Sequence, residues 1–325
     1  MTRKYTQPIR RRLRQLLITS GQWSINLLLL FYLLFPIYWL MLSSLKTPAT
    51  LAAVEYLPRN VSFATYHILL AYDVFIRSIG NSLQITGAVL ILTLALGLPA
   101  SYALGRLRFR GRRIGRLVVL GMLGFPQIAL LPGLYTMFTD PCRIVGSSCE
   151  ALSLYNTKTA LSLTHLLLTL PLTIWFLAAY FQQLPAELEE AAAIDGATPW
   201  QTLIHILVPL AGPGIIATGI LTCITSWTEY LFALTLTQTI ESRTAIYIMT
   251  NFGFNGGGAL LTLAASVLIT LPVVILALLF QPYVTAGLTG RAADLARVRW
   301  SRWRLVLVVV IGGLSTVLLL LLARV

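Results

Sequence analysis

The sequence predicts an all-α transmembrane fold: a core of six helices with one extra transmembrane helix after it. Three observations carry that reading. Of 325 residues, 57% are hydrophobic and 11% are charged, whereas soluble domains carry about 25% charged residues. Mean hydropathy is +0.80. The charges also leave gaps long enough to cross a bilayer, which takes about 20 apolar residues rising about 1.5 Å each.

Those gaps place the helices in order. The uncharged stretches are 15–45, 78–105, 117–139, 159–186, 196–228, 244–290 and 305–323, so seven spans are expected. Within 244–290, Asn251, Asn255 and the glycines 256–258 predict a polar loop followed by one helix near 259–282. Outer-membrane barrels alternate polar and apolar residues over about ten positions, and these continuous runs do not. The first run is far longer than the roughly 7–15 apolar residues of a cleaved signal peptide, so it reads as a retained helix. The chain divides into a basic N-terminal segment (1–23), a helical domain (24–290) containing a loop at 184–205, a basic linker (291–304) and a last helix (305–323).

Basic residues resist translocation and collect on the cytoplasmic side. Residues 1–14 hold six, 105–116 six and 291–304 five, leaving seven of the 24 for all segments of the opposite side. The N-terminus is therefore expected inside. The net charge of +13 sits in short loops flanking apolar runs, a pattern suited to anionic lipid headgroups rather than to nucleic acid.

The 182–205 segment is also expected inside, yet no Lys or Arg occurs between Thr159 and Ser242. Pro185 suits a first helical turn, Glu187, Glu189 and Glu190 favour a helix N-terminus, and Gly196 can close a helix in the left-handed conformation. A short helix over about 186–195 follows. Thr198, Pro199 and Gln201 then have the spacing of a capping box that starts a second helix. Small residues Ala191, Ala192 and Ala193 allow another surface to approach closely; the plainer reading is a solvated acidic connector.

The run Glu190-Ala191-Ala192-Ala193-Ile194-Asp195-Gly196-Ala197, with Pro209 thirteen residues after Gly196, resembles the EAA signature of binding-protein-dependent ABC importer permeases. Phe35-Pro36-Ile37-Tyr38-Trp39, Asn81-Ser82-Leu83, Ala100-Ser101-Tyr102-Ala103-Leu104-Gly105-Arg106-Leu107 and Ser226-Trp227-Thr228-Glu229-Tyr230 resemble its MalG-like carbohydrate branch. The likeness runs from about residue 25 to 290. It implies a type I importer core in which a helix in this loop couples to a separate ATPase, with Glu190, Ala191, Ala192, Asp195, Gly196 and Pro209 as the coupling residues. It further implies a second homologous permease, two ATPase copies carrying ATP and Mg, a periplasmic or extracellular solute-binding protein, and location in the bacterial inner membrane. The seventh helix and the long loop holding Cys142 and Cys149 depart from that pattern.

Other chemistry is sparse. Lys4, Lys46 and Lys158 are the only lysines and none follows a glycine, so the G-x-x-x-x-G-K-[ST] phosphate loop is missing and this chain is expected to be no enzyme and to hold no cofactor of its own. His67, His165 and His205 lie far apart and form no metal motif. Glu229 is the one carboxylate within an apolar stretch, where it either lines a solute route with Trp227 and Tyr230 or braces helices. The 241–258 segment, with Tyr247, Asn251, Phe252 and Asn255, resembles the family's loop that reaches into the binding protein; an ordinary connector is the alternative. Cys142 and Cys149 are either a disulfide or two free thiols. A transporter driven by an ion gradient would call for further intramembrane charges or inverted repeats, and a purely structural membrane subunit is the other rival.

Overall fold

The computed structural model describes residues 6–57, 60–141, 153–254 and 258–289, with 6–20, 254 and 282–289 as backbone. Every regular element among them is helical. In chain order they are α1 (Thr6–Ser44), α2 (Ala64–Ala71), α3 (Asp73–Gly105), α4 (Arg112–Leu123), α5 (Gln127–Thr139) and α6 (Lys158–Gln183). After these come α7 (Glu187–Ile194), α8 (Pro199–Leu210), α9 (Gly212–Trp227), α10 (Leu231–Leu236), α11 (Ala245–Phe254) and α12 (Gly258–Thr289). Among the described residues four helices are long and apolar enough to cross a membrane, and the bent pairs α4–α5 and α8–α9 bring the total there to six if each pair is one span.

The two bends have covalent causes. Between α4 and α5 the chain turns by 95° at Gly124-Phe125-Pro126, where Pro126 is extended and lacks the N–H a continuing helix needs. Between α8 and α9 it turns by 81° at Ala211, just before Pro213 opens α9. The uncharged stretches 117–139 and 196–228 are therefore not single straight helices. A second correction concerns 244–258, expected as a polar loop. Its first part is α11, because Ala245, Ile248 and Phe252 form one buried stripe at helical spacing, and Asn251 turns its amide inward to donate to the Tyr247 carbonyl at 2.8 Å. Asn255 and the helix expected at 305–323 lie outside the described residues.

The centre of the bundle is a contact between α3 and α6, which run parallel. Going down the pair, Lys158 meets Gln84 at 2.7 Å, Thr93 meets Thr169 at 2.9 Å, and Gly97 and Gly105 face Thr173 and Ala178. A Cβ on Gly105 would stand 2.9 Å from the Ala178 carbonyl oxygen. Lipid gives helices no hydrophobic reason to associate with each other, so close approach at small residues and hydroxyl contacts must supply the packing. The antiparallel α9 joins through Thr222, 3.3 Å from Thr173, and Trp227 locks it to α12 by donating Nε1 to the Ile269 carbonyl at 3.0 Å. This register puts Gly105 and the 184–198 loop at one end, and Asn81, Lys158 and Thr237–Thr244 at the other. By contrast α1 remains largely exposed along its apolar length, with α12 as its main neighbour.

Candidate coupling site

At the end of the bundle reached by the C-terminus of α3, a helix–turn–helix unit projects from α6. Leu184 is extended, as a residue preceding proline must tend to be, and α6 stops there. Three glutamates then occupy the first turn of α7, complementing the positive end of the helix dipole. The far end of α7 closes as a Schellman turn. Ala197 N–H donates to the Ala192 carbonyl at 2.9 Å, Gly196 N–H donates to that of Ala193 at 3.1 Å, and Gly196 holds φ +77°. Directly after it the capping box forms, with Thr198 N–H donating to Gln201 Oε1 at 2.8 Å and Gln201 N–H to Thr198 Oγ1 at 3.3 Å.

α8 is then relieved of strain before Pro209. Residues Leu203–Leu207 make a π turn in which Val208 N–H reaches back to the Leu203 carbonyl, since a proline ring would clash with a regular α turn. Leu203, Leu207 and Ala211 fasten this arm to Tyr102, Leu177 and Phe181 of α3 and α6. Ala192 also faces inward at 4% exposure. The outer surface is a different matter: Glu187, Glu190, Ala191, Ala193, Asp195 and Gly196 are exposed, beside Ile194 at 86% and Trp200 at 58%. An exposed tryptophan and isoleucine ringed by acids form a surface suited to another protein chain.

Besides the packing of α8 on Tyr102, a polar contact ties α7 itself to α3. Arg106, the residue that caps α3, donates Nε to Glu189 Oε1 at 2.9 Å, Nη1 to the Leu184 carbonyl at 3.0 Å and Nη2 to the Pro185 carbonyl at 3.2 Å. Arg112 donates to the carbonyls of Leu104 and Gly105, and Arg116 Nε to that of Leu104 at 2.9 Å. Half of the basic residues counted in the 105–116 segment thus satisfy the negative end of α3 or the loop beside it.

A second polar cluster lies deeper. Glu229 follows the end of α9 and is 8% exposed. Its Oε1 accepts from Phe232 N–H at 2.8 Å and its Oε2 from Ala233 N–H at 3.2 Å, capping α10. His165 Nε2 is 3.2 Å from the same Oε2, and His165 Nδ1 is 2.9 Å from Ser226 Oγ. Ser226 Oγ is in turn 3.4 Å from Thr86 Oγ1. The chain of contacts joins α3, α6, α9 and α10.

The family described as "Binding-protein-dependent transport system inner membrane component" matches residues 94–290, which contain the helix–turn–helix unit and all of the second cluster except Thr86. The chain belongs to that family. It is 34% identical over 278 residues to the trehalose transport system permease protein SugB of Mycobacterium tuberculosis (strain CDC 1551 / Oshkosh), covering 83% of this chain and 96% of the relative. It is 35% identical over 265 residues to the trehalose/maltose transport system permease protein MalG of Thermococcus litoralis, covering 80% of this chain and 91% of the relative. In fold it is similar to a chain of a bacterial ABC transporter involved in the import of the acidic polysaccharide alginate, at TM-score 0.64 and 22% identity over 87% of this chain and 99% of that one.

The permease is thus a multi-pass component of the cytoplasmic membrane that works with a binding protein, and its helices bring together most of the residues singled out by sequence. Glu190, Ala191, Asp195 and Gly196 share one exposed surface, Ala192 anchors it from beneath, and Pro209 sits at the π turn of the arm behind it. Trp227 is buried and bonded to α12, and both carboxylate oxygens of Glu229 accept from within the chain, so their contacts are those of a brace; Tyr230 stands half-buried beside them. Tyr247, Asn251 and Phe252 gather at the opposite end of the bundle, around a cavity of about 260 Å³ shared with Tyr72 and Arg243. Cys142 and Cys149 lie outside the described residues. The residues missed by sequence are Arg106, His165 and Asn156. Only the arginine had left a sign: it sits at the boundary between an apolar run and a basic loop. Asn156 holds the left-handed conformation at φ 59° and its Oδ1 accepts from Gln238 N–H at 2.7 Å, Thr239 N–H at 3.0 Å and Ser242 Oγ at 2.7 Å.

Proposed function

We propose that this permease is the membrane subunit of an ATP-driven importer of carbohydrates, of disaccharide, oligosaccharide, polyol or glycoside type, and that the 184–205 loop is its contact with a separate ATPase. The observation that carries the reading is the exposed surface of the α7–α8 turn, where Ile194 at the end of α7 and Trp200 at the start of α8 stand with Glu190 and Asp195 around the left-handed Gly196. The relatives' trehalose and trehalose/maltose systems support the solute class. The basic loops support a cytoplasmic N-terminus, which puts α7 on the side where ATP is available.

The working assembly contains this chain, a second homologous permease, two ATPase copies that hold ATP and Mg, and a solute-binding protein on the outer side. ATP closes the ATPase pair and displaces α7. The bundle turns its cavity outward to receive solute, and hydrolysis returns it. Such a cycle needs a rigid element whose position differs between two states. α7 qualifies because both its ends are fixed by hydrogen bonds while its outer face is free of its own chain.

Uptake of labelled trehalose, maltose and diacetylchitobiose into vesicles carrying the whole assembly tests this. Accumulation of one of them is expected with internal ATP and not without it, and Gly196→Val is expected to suppress it. Accumulation that ignores ATP and follows an ion gradient would overturn the reading.

A further inference from the structure

We infer that Arg106 is the strut through which movement of α7 reaches α3, a role distinct from that of the residues facing the ATPase. The inference rests on the coupling function proposed above and adds the route inside this chain. On its N-terminal side α7 is joined to α6 by extended Leu184 and by Pro185, and on its C-terminal side to α8 by left-handed Gly196. The second joint is closed by the Schellman turn and capping box, whereas the first is an extended connection outside both helices and does not by itself convey the tilt of α7 stiffly to α6.

The guanidinium bridges that weakness. Its three nitrogens engage one side chain on α7 and both residues of the joint, at 2.9, 3.0 and 3.2 Å. The Arg106 side chain is 11% exposed and that of Glu189 26%, so water competes little for either. A planar fork of fixed donors locks orientation as well as distance, which a lysine does not. The glutamates of the first turn divide accordingly: Glu189 faces its own chain, while Glu187 and Glu190 face outward.

The other end of the strut is equally firm. Arg106 N–H bonds to the Tyr102 carbonyl at 2.8 Å, Arg112 and Arg116 hold the last carbonyls of α3, and Gly105 lies against the backbone of α6. From there α3 runs back through Gly97 and Thr93 to Thr86, which meets Ser226 of the buried Glu229 cluster. A displacement of α7 applied at Arg106 therefore acts on α3 as a body and reaches α9 and α10 through that cluster.

Pulsed EPR on the complete complex in proteoliposomes tests the strut without reference to the solute. Cys142, Cys149 and Cys223 are replaced by serine, and spin labels are placed at exposed Ile91 on α3 and exposed Glu187 on α7. The distance is measured without nucleotide and after trapping with Mg-ATP and vanadate. With Arg106 present, the separation is expected to be the same in both states; with Arg106→Ala it is expected to change on trapping. A merely stabilising arginine would broaden both distributions alike, and that result overturns the inference, as does a separation that already changes with Arg106 in place. Uptake per ATP hydrolysed, for the disaccharide accumulated in the vesicle assay, is expected to fall about tenfold in Arg106→Ala and less in Arg106→Lys, with the ATPase still copurifying. Uptake per ATP unchanged in both variants sinks the strut alone, whereas ATP-independent uptake with Gly196→Val sinks the underlying function.

Discussion

His165 Nε2 lies 3.2 Å from a Glu229 carboxylate oxygen that also caps α10, so one buried pair joins the middle of α6 to the break after α9. Truncating Glu229 strands His165 Nε2 and the two α10 amides, at a cost of about 1–3 kcal/mol for each buried polar group left unsatisfied. Glu229→Ala is expected to lower the thermal midpoint of the detergent-solubilised complex sharply. Glu229→Gln keeps one acceptor for the α10 amides and is expected to cost about 1–2 kcal/mol. Equal midpoints for the two variants would rule out the capping role.

Gly196 has open space where a Cβ would stand, with no neighbouring atom within 4 Å, yet its φ is +77°. The penalty for a side chain is therefore conformational, about 1–2 kcal/mol for an ordinary residue and more for a β-branched one. ATP-dependent uptake is expected to decline in the order Gly, Asn, Ala, Val at this position, because asparagine tolerates the left-handed region. A decline that tracked side-chain volume instead would point to a steric partner.

The two glycines between α3 and α6 are expected to respond differently. At Gly105 a methyl group meets a backbone carbonyl, which cannot rotate away; at Gly97 it meets the Thr173 methyl at 2.8 Å, which a side-chain rotation can relieve. Gly105→Ala is expected to cost about 1–3 kcal/mol, and Gly97→Ala less. Thermal unfolding of the two purified variants measures the difference.

Asn156 organises the loop between α10 and α11 through its side chain and holds a left-handed backbone conformation itself. Asn156→Gly preserves the backbone and removes the hub, whereas Asn156→Ala loses both. Faster hydrogen exchange across 238–242 is expected in both variants, and a lowered melting temperature chiefly in Asn156→Ala. Unaltered exchange in Asn156→Gly would show that the side-chain bonds contribute nothing to loop order.

Much of the local structure of the proposed coupling site was legible in the chain because its signals are local. The glutamates of α7, Gly196 and the Thr198–Gln201 pair act over one to five residues, and each forms the turn or cap its chemistry predicts, whereas Pro185, expected in a first helical turn, stands before the helix, which begins at Glu187. The spans were legible for a related reason, since crossing a bilayer is a requirement on continuous composition. The bends of α4–α5 and α8–α9 were visible only as prolines, whose consequence depends on what surrounds them. At 245–254, burial of Ala245, Ile248 and Phe252 outweighed the polar residues that suggested a loop.

The sequence by itself determined a helical membrane protein with an acidic, glycine-closed helix in a loop otherwise free of basic residues. Only the tertiary structure decided that Glu189 turns inward to Arg106 while Glu190 stays outside, and that Glu229 meets His165. These pairs are separated by 83 and 64 residues. A carboxylate's role depends on which cation or amide lies within about 3 Å of it, and over such separations that distance is set by the register of α3, α6 and α9.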